Sequence, residues 1–550
     1  MIGVVMLALL AGPADAVYDL VLAGGSVVDG SGDPARTADV AIAGDRIAAV
    51  GDLASAGARR RIDARGLVVA PGFIDMLGQS EYNVLVDPRA ASKITQGITT
   101  EITGEGTAIA PLNARMIEDG RAVYEHYGVT PDWTTLAGYW KAFERARPAI
   151  NLGTFVGAGG VRKHVMGSDN RSPSAAELEE MKQLVAQAME EGAFGLSTSL
   201  IYVPGRFAKT SEIIALARVA KGYGGTYITH QRDEGDVIFK SLDEVFRIAR
   251  EAQIPTEIYH LKTAGRANWG RMPAVLRRIE QARADGLDIR ADVYPWTASA
   301  NALEAALPAW VREGGRAKLV ERLKDPSLRE RVKKDLLKEN RRWDVTSARA
   351  IVITSVINPA LKSYEGKTLV QIGREEKKTP RDAAIDLLIA DEANTGRITF
   401  SMGEDDVRAA LKHPLVAMCT DSGAAAEDGI FSKEGSHPRA WASTARILGR
   451  YVRDEKLLPL EEAIRKMTSL PASRMRLTDR GVVRAGAYAD LVAFDPARVN
   501  ERSAFTDPRH YSEGFAYVAV NGQLVVDGGR LTGARPGRPL CGPGWRPAGR

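Results

Sequence analysis

The sequence predicts an α/β protein, a (β/α)8 TIM barrel with a small β-sandwich domain formed by both chain ends. Three observations lead to this prediction. Short strand patterns with Gly and Asp at their corners occur at both ends of the 550-residue chain. Eight apolar, β-branched runs alternate with helix-like segments between them. Reactive side chains follow several of these runs, where this fold places its functional site.

The composition is that of a globular protein, because 45% of the residues are hydrophobic and 26% are charged. It excludes disordered and fibrous classes. The 74 Lys and Arg against 69 Asp and Glu give a net charge of only +5, without a long block of like charge. A nucleic-acid partner is therefore not expected. Cys419 and Cys541 are the only cysteines, so we expect no disulfide framework.

Residues 1–16, MIGVVMLALLAGPADA, predict a secretory signal peptide. An apolar run is followed by Gly-Pro and by the small-x-small pattern of Ala14, Asp15 and Ala16, although the usual positive charges at the start are missing. A buried first strand is the alternative interpretation. The run is too short to span a bilayer, so no membrane contact of the mature protein is expected. The predicted location is the periplasm or outside the cell.

The two chain ends predict the sandwich. Residues 17–70 contain three strand-and-turn patterns, and ADLVAFDP and FAYVAVNGQLVVDGG repeat this texture within residues 476–540. The basic, Pro- and Gly-rich residues 541–550 are predicted to be a loose tail.

Residues 71–475 predict the barrel. Between most of the eight runs lie segments such as 174–192 and 241–253, whose apolar residues recur at three and four positions. Residues from about 303 to 400 form a charged helical insertion before the eighth strand. The predicted strands are GFIDML (72–77), TTEITGE (99–105), NLGTFVGA (151–158), FGLSTSL (194–200), GTYITHQ (225–231), TEIYHLK (256–262), DIRADVYPW (288–296) and VAMCTDSG (416–423).

Five chemically useful side chains fall at the ends of these strands. Glu105 ends the second run, His230 the fifth, His260 the sixth, Tyr294 the seventh and Asp421 the eighth. Because the carboxyl ends of barrel strands meet at one opening, we expect these groups to converge there.

The convergence predicts a metal centre. Each histidine alone could be an ordinary core residue, but His230 and His260 at successive strand ends favour metal ligation. Glu105 could cap a helix; with the two imidazoles it completes a His2Glu set, which leaves zinc an open position for water. Asp421 could begin a helix as its N-cap, and it is also suited to transfer protons between water and a leaving group.

The chain also resembles a known family. LVLAGGSVVDGSG, PGFID, SKITQGITTEITG, GAFGLSTSLIYVPG, YITHQRDEGD, ADVYPWTAS, MTSLPASRMRLTDRG and ADLVAFDP occur in the order found in the N-acyl-D-amino-acid deacylases, or D-aminoacylases, of the amidohydrolase superfamily. The resemblance covers nearly the whole chain after the signal. It implies a TIM barrel with a β-sandwich, a zinc centre, and hydrolysis of N-acylated D-amino acids to a carboxylate and a free amino acid.

The resemblance assigns roles to individual residues. His230 and His260 match the zinc-binding histidines, Asp421 matches the catalytic aspartate, and Glu105 stands where several members place a cysteine or glutamate ligand. The implied chemistry makes Asp421 the acceptor and then the donor of the transferred proton.

Further positions match substrate contacts in the family. Lys262 corresponds to a contact of the substrate carboxylate and Tyr294 to a catalytic contact of the carbonyl oxygen, while Ser299 is a further candidate for the carboxylate. Arg232 is either another contact of the anionic substrate or part of a salt bridge on the barrel rim.

The chain departs from the family at the first strand. Relatives carry His-x-His where Leu77, Gly78 and Gln79 stand, and a histidine in place of Ala158. Leu cannot bind a metal and an amide oxygen is a poor zinc ligand, so one zinc per chain is expected. Gln79 or Glu81 is predicted to orient water or contact the acyl group instead.

Three interpretations of function follow. The first is zinc-dependent hydrolysis of N-acyl-D-amino acids. The second is a related amidohydrolase acting on D-residue dipeptides, lactams or cyclic imides. The third, suggested by Leu77 and Gln79, is a binding protein that has lost catalysis.

Overall fold

A computed structural model describes residues 17–339, 343 and 345–547. The predicted signal peptide, residues 1–16, lies outside the described residues. Among the residues described, no helix has the length and apolar character that crossing a membrane requires. Both cysteines are free.

The chain begins with five strands of the sandwich. They are β1 (Tyr18–Val27), β2 (Arg36–Ala43), β3 (Arg46–Gly51), β4 (Ala58–Asp63) and β5 (Val68–Pro71). β1 pairs antiparallel with β2 and parallel with β4 and β5. Buried residues of these strands, such as Leu22, Val40 and Ile47, pack into an apolar core of their own.

The barrel strands follow in the predicted order. They are β6 (Phe73–Asp75), β7 (Ile98–Thr103), β8 (Asn151–Thr154), β9 (Val156–Gly157), β10 (Gly195–Ser199), β11 (Thr226–His230), β12 (Thr256–Ile258) and β13 (Ile289–Val293). The third predicted run is divided at Phe155 into β8 and β9, which pair with β7 and β10 respectively. All barrel pairs are parallel.

The insertion before the eighth strand contains a sheet as well as helices. β14 (Ser299–Ala302), β15 (Ile351–Ser355) and β16 (Gly396–Thr399) form an antiparallel sheet in the order β14-β16-β15. The sequence predicted only helices here, because these strands are short and lie among strongly charged helical segments. The insertion has its own apolar core, which includes Leu303, Leu319 and Leu388.

The eighth barrel strand is β17 (Val416–Met418), which pairs with β13. The chain then returns to the sandwich with β18 (Leu491–Phe494), β19 (Phe515–Val520), β20 (Gln523–Asp527) and β21 (Arg530–Leu531). β18 pairs with β5, so strands from both chain ends form one connected nine-stranded sheet. This confirms the predicted sandwich.

Helices surround the barrel and fill the insertion. In chain order they are α1 (Asn83–Val86), α2 (Ala91–Ile94), α3 (Ala114–Asp119), α4 (Arg121–Tyr127), α5 (Leu136–Ala146), α6 (Ala158–Met166), α7 (Ala175–Glu190), α8 (Thr210–Gly222), α9 (Ile238–Ala252), α10 (Met272–Ala284), α11 (Ala309–Arg312), α12 (Arg316–Lys324), α13 (Pro326–Glu339), α14 (Val345–Ala348), α15 (Leu369–Glu375), α16 (Pro380–Ala390), α17 (Glu404–Lys412), α18 (Arg439–Arg446), α19 (Leu460–Met467) and α20 (Ser469–Met475). α7 begins with a capping box formed by Ser174 and Glu177, as its sequence favours.

Residues 541–547, the described part of the basic C-terminal segment, follow the barrel surface rather than forming the predicted loose tail. The amide of Gly542 donates to the carbonyl of Gly192 at 2.9 Å, and the amide of Arg546 donates to that of Glu190 at 2.8 Å. Backbone hydrogen bonds to the end of α7 therefore fix a segment whose composition alone indicated disorder.

A buried lysine closes the barrel between its first and eighth strands. Lys93 of α2 places its ammonium 2.9 Å from Asp75 at the end of β6 and 2.6 Å from Glu101 of β7, and all three side chains are fully buried. It also donates to the hydroxyl of Thr420 and the carbonyl of Ser422, which follow β17. One ammonium group thus connects β6, β7 and the residues that follow the eighth barrel strand.

Candidate metal centre

Glu105 reaches the barrel opening from a tight loop after β7. Gly104 and Gly106 on either side have φ of +96° and +65°, which residues with a Cβ rarely adopt. A Cβ at Gly106 would lie 1.7 Å from the hydroxyl of Ser199 on β10, so only glycine allows this close approach. The amide of Gly106 donates to the hydroxyl of Ser197 at 3.0 Å. The loop is therefore held against β10, with Glu105 facing the opening.

The two predicted histidine ligands meet Glu105. His230 is the last residue of β11 and His260 follows β12, and both are buried. His230 Nδ1 lies 2.7 Å from Glu105 Oε1, and His260 Nε2 lies 3.0 Å from His230 Nδ1 and 3.5 Å from Glu105 Oε1. The structure therefore brings the predicted ligand set together at one point.

The chemistry of this donor set fits a zinc ion. Glu105 Oε1, His230 Nδ1 and His260 Nε2 point their lone pairs at one another. Such an arrangement requires a proton or a cation between these atoms. One carboxylate and two imidazoles are ligands that zinc prefers, and a three-residue set leaves a position open. Burial and the Lys262 ammonium lower the pKa of His260, but the carboxylates of Asp421, Glu234 and Glu105 outweigh them and raise it to about 10.

Glu234 is a site residue that the sequence analysis missed. Its Oε1 lies 3.1 Å from His260 Nδ1 and its Oε2 lies 3.6 Å from His230 Nε2, the nitrogens that face away from Glu105. Burial raises the pKa of Glu234, but Lys262 and the two histidines outweigh it and lower that pKa below its usual range. An outer carboxylate of this kind fixes the orientation and tautomer of a metal-binding histidine. The available signal was its spacing of four residues from His230.

Lys262 lies in the same group. Its Nζ is 2.7 Å from Glu234 Oε1 and 2.7 Å from His260 Nδ1. The predicted contact of a substrate carboxylate is therefore at the centre, where its present partners are the Glu234 carboxylate and the His260 imidazole.

Asp421 faces the ligand set from the end of the eighth strand. Its φ is +50°, and its amide donates to the carbonyl of Leu77 at 2.8 Å. Oδ2 lies 2.6 Å from Arg439 Nη1 at the start of α18. Burial and the Glu105 carboxylate raise the pKa of Asp421, against the lowering effects of Arg439, His260 and Lys262. The predicted N-cap alternative does not apply, since no helix starts at Asp421.

Arg439 is the second site residue that was missed. It is buried, and besides Asp421 it donates to the carbonyl of Ala300 on β14 at 3.4 Å. Its guanidinium carbon lies 4.8 Å from the ring centre of Tyr294. The sequence signal was weak, because a single arginine well after the eighth strand has the same pattern as any surface arginine.

The first strand adds no residue to the converging set of Glu105, His230 and His260. Leu77 is fully buried in an apolar cluster, as its side chain dictates. A Cβ at Gly78 would lie 2.3 Å from Glu101 Oε1, so a larger residue does not fit there. Gln79 is exposed at the opening, and its Nε2 donates to Glu105 Oε2 at 3.1 Å and to Asp421 Oδ1 at 3.0 Å.

Tyr294 and Ser299 are the predicted substrate contacts nearest the insertion. The hydroxyl of Tyr294 points at Met402 Sδ, 3.9 Å away, and its ring lies 6.4 Å from that of His260. Ser299 is half-buried on β14 of the insertion, next to the carbonyl that accepts from Arg439. The insertion therefore forms part of the wall of the opening.

Arg232 forms a salt bridge on the barrel rim, the alternative that the sequence analysis gave to a substrate contact. Its Nε and Nη2 lie 2.7 Å and 2.9 Å from the Glu244 carboxylate, while Nη1 and Nη2 donate to the carbonyls of Arg206 and Ala208. Each guanidinium nitrogen already has a partner, which is why this arginine is committed to the rim.

The chain forms a (β/α)8 barrel with a β-sandwich from both chain ends, and the barrel opening carries a carboxylate and two imidazoles opposite an aspartate. This combination of fold and site defines a metal-dependent amidohydrolase. The amidohydrolase family model matches residues 60–526. The chain is 36% identical to N-acyl-D-glutamate deacylase of Alcaligenes xylosoxydans xylosoxydans, covering 95% of this chain and 96% of that one.

Two solved structures agree over the whole length. The N-acyl-D-glutamate deacylase of Bordetella bronchiseptica, complexed with zinc and a phosphonate mimic of the tetrahedral intermediate, superposes with a TM-score of 0.80 at 33% identity, covering 96% of this chain and 100% of that chain. A D-aminoacylase with a binuclear metal centre, described by one-metal activation and second-metal attenuation, gives 0.78 at 34% identity, with coverages of 95% and 100%. The chain belongs to the D-aminoacylases of the amidohydrolase family.

Proposed function

We propose that this protein hydrolyses the amide bond of N-acyl-D-amino acids, releasing a carboxylate and a free D-amino acid. The observation that carries the proposal is the position of Asp421, which shares the donor Gln79 with Glu105 and thus faces the set of Glu105, His230 and His260. Glu105, His230 and His260 would hold a zinc ion, which would supply the Lewis acidity that lowers the pKa of water and polarises an amide carbonyl. The activities of the relatives support the choice of substrate.

Asp421 performs the proton transfers in this proposal. Its carboxylate takes the proton of the attacking water and returns it to the nitrogen that leaves. Burial raises its pKa, which suits a group that must hold a proton briefly and then give it up. Arg439, 2.6 Å from Oδ2, fixes the direction in which the other oxygen points.

Cationic groups bind the substrate carboxylate. Arg439 and Lys262 are both buried beside the centre, and both lie close to Tyr294, with the Arg439 guanidinium carbon 4.8 Å and the Lys262 ammonium 5.6 Å from its ring centre. A substrate carboxylate held by these cations fixes the position of the substrate's α-carbon. Only one configuration at that carbon then brings the amide bond to Asp421. The Tyr294 hydroxyl, which now has only the weak acceptor Met402 Sδ, is the donor we assign to the carbonyl oxygen in the transition state.

One zinc ion per chain is part of the proposal. Its support is that the three converging donor residues follow β7, β11 and β12, while the first strand contributes Leu77 and Gln79, which are poor zinc ligands.

The experiment is to measure amine release from a panel of N-acetyl D- and L-amino acids by protein of known zinc content, before and after chelation. We expect chelator-sensitive turnover of D-substrates that returns when zinc is added. Equal turnover of L-substrates, or turnover that survives complete removal of the metal, contradicts the proposal.

The same panel separates the alternatives. Dipeptides ending in a D-residue, lactams and cyclic imides are included because they share the amide bond. Turnover confined to these compounds identifies a different amidohydrolase. Tight binding of N-acyl-D-amino acids by zinc-loaded protein without any amine release identifies a binding protein.

We propose further that residues 1–16 direct export to the periplasm or medium and are removed. The support is the apolar run and the pattern Ala14-Asp15-Ala16. Mass spectrometry of the mature N-terminus from separated cell fractions tests this. A protein that retains residues 1–16 in the cytosol contradicts it.

A further inference from the structure

The amide of Gln79 lies between two carboxylates at the opening of the barrel. It donates one hydrogen to Glu105 Oε2 at 3.1 Å and the other to Asp421 Oδ1 at 3.0 Å. An amide NH2 has two hydrogens, so both are used.

The second oxygen of each carboxylate is engaged elsewhere. Glu105 Oε1 faces His230 Nδ1 at 2.7 Å, and Asp421 Oδ2 faces Arg439 Nη1 at 2.6 Å. Gln79 is thus the group that joins the metal-binding carboxylate to the proton-transferring one. Two carboxylates that approach a common point repel each other unless a donor or a cation lies between them.

We propose that Gln79 takes the place between these carboxylates that a second metal ion would occupy, and thereby keeps the centre at one zinc. Gln79 is then a positioning residue, because it sets the direction of Asp421 without touching the reacting atoms. The expected effect of Gln79 on catalysis rests on the proposed function. The expected effect on the number of bound zinc ions rests on the geometry alone.

The structure below Gln79 supports the same conclusion independently. Leu77 points into an apolar cluster, and Glu101 fills the space beside Gly78. Glu101 is held by the Lys93 ammonium at 2.6 Å, which is fully buried. A fixed cation of the chain therefore already pairs with the carboxylates of Asp75 and Glu101 in this layer, and neither Leu77 nor Gly78 offers an additional metal ion a side-chain ligand.

The consequence differs from the behaviour of a relative. The D-aminoacylase structure noted above has a binuclear centre whose second metal attenuates activity. If Gln79 occupies the corresponding place, excess zinc has no second position to fill here. We therefore expect activity that reaches a plateau at about one zinc per chain and stays there at higher zinc concentrations.

The test compares the wild type with two variants of Gln79. Gln79→Glu keeps the shape but puts a third carboxylate beside Glu105 and Asp421, so a second divalent cation should bind. Gln79→Met has a similar length but neither donor nor ligand, and it serves as the matched control. Each protein is equilibrated in a metal buffer that fixes the free zinc concentration. The zinc bound per chain is then measured by elemental mass spectrometry.

We expect about one zinc in the wild type and in Gln79→Met, and about two in Gln79→Glu at the same free zinc. Gln79→Met should lose about 10- to 100-fold in kcat with little change in KM, the size expected when a hydrogen bond to a charged group is lost.

Several results would overturn the inference. They are a wild type that takes up two zinc ions with attenuation, a Gln79→Glu variant that stays at one, or a Gln79→Met variant with normal kcat. The wild-type titration decides the question even if a variant does not fold. Because zinc content requires no substrate, failure of the proposed function is recognised separately, by the absence of turnover.

Discussion

At the scale of single residues, Asp421 makes the sharpest prediction. Asp421→Asn keeps the shape and the contact with Gln79 but removes the proton acceptor. We expect kcat to fall by about 100- to 10,000-fold, the contribution of a positioned acid–base group. Zinc content should stay unchanged, because Asp421 is not one of the converging ligands. Turnover within a factor of ten of the wild type would remove Asp421 from the mechanism.

Glu234 gives a second prediction at this scale. Glu234→Gln keeps the size but weakens the orientation of His260 and His230. We expect zinc affinity, measured by competition with a chromogenic chelator, to fall by about 10- to 100-fold. The control is Glu244→Gln, which changes a carboxylate bound to Arg232 on the rim. Equal zinc affinities of the two variants would contradict the role of Glu234.

The residues that sequence reasoning found and missed differ in a physical way. His230, His260 and Asp421 end predicted strands, so the barrel geometry alone brings them together. Glu234 lies in a loop and Arg439 at the start of α18, and the positions of both depend on contacts far away in the chain, such as that of Arg439 with Ala300. Arg232 was ambiguous because the sequence does not reveal that Glu244, one helix later, takes its guanidinium.

At the scale of elements, the junction of the first and eighth strands depends on Lys93. Lys93→Met leaves the buried carboxylates of Asp75 and Glu101 without their cation. We expect the free energy of unfolding to fall by about 3–5 kcal/mol. The measurement is chemical denaturation of the metal-free protein.

The control for this prediction is Lys367→Met, which removes a half-exposed partner of Glu375 at 2.7 Å. A surface pair contributes no more than about 1 kcal/mol. The double variant Lys93→Met, Glu101→Gln should regain part of the stability, since it removes one of the uncompensated charges. Similar losses for the two single variants would show that the junction does not depend on Lys93.

All eight barrel strands were predictable because each is a short apolar run followed by a change of composition. The division of the third run at Phe155 was not, since β8 and β9 pair with different neighbours and only the closed barrel shows it. The insertion sheet was missed for a related reason. Its strands pair with partners far along the chain, and a local pattern carries no information about such partners.

At the scale of the whole molecule, stability should depend on pH in a way that zinc removes. In the metal-free protein the pKa of His260 is about 10, above its ordinary value of 6.5. The resulting stabilisation is fully present below about pH 6.5 and is lost as the pH rises towards 10.

We therefore expect Tm of the metal-free protein, measured by scanning calorimetry, to decrease steadily from pH 7 to 9. With zinc bound the proton on His260 is displaced, so this decrease should be much smaller and protons should be released on zinc addition. The same slope in both forms would contradict the assignment of His260 as a ligand.

The sandwich has a consequence for how the chain is made. Pro71 at the end of β5 pairs with Leu491 on β18, so the partner of this strand is synthesised only after the entire barrel and insertion. Until then the edge of β5 has open backbone donors and acceptors, which other chains can pair with. The last-made strands thus complete the first-made domain, and truncation before β18 would leave a protein prone to aggregate although its metal ligands are all present.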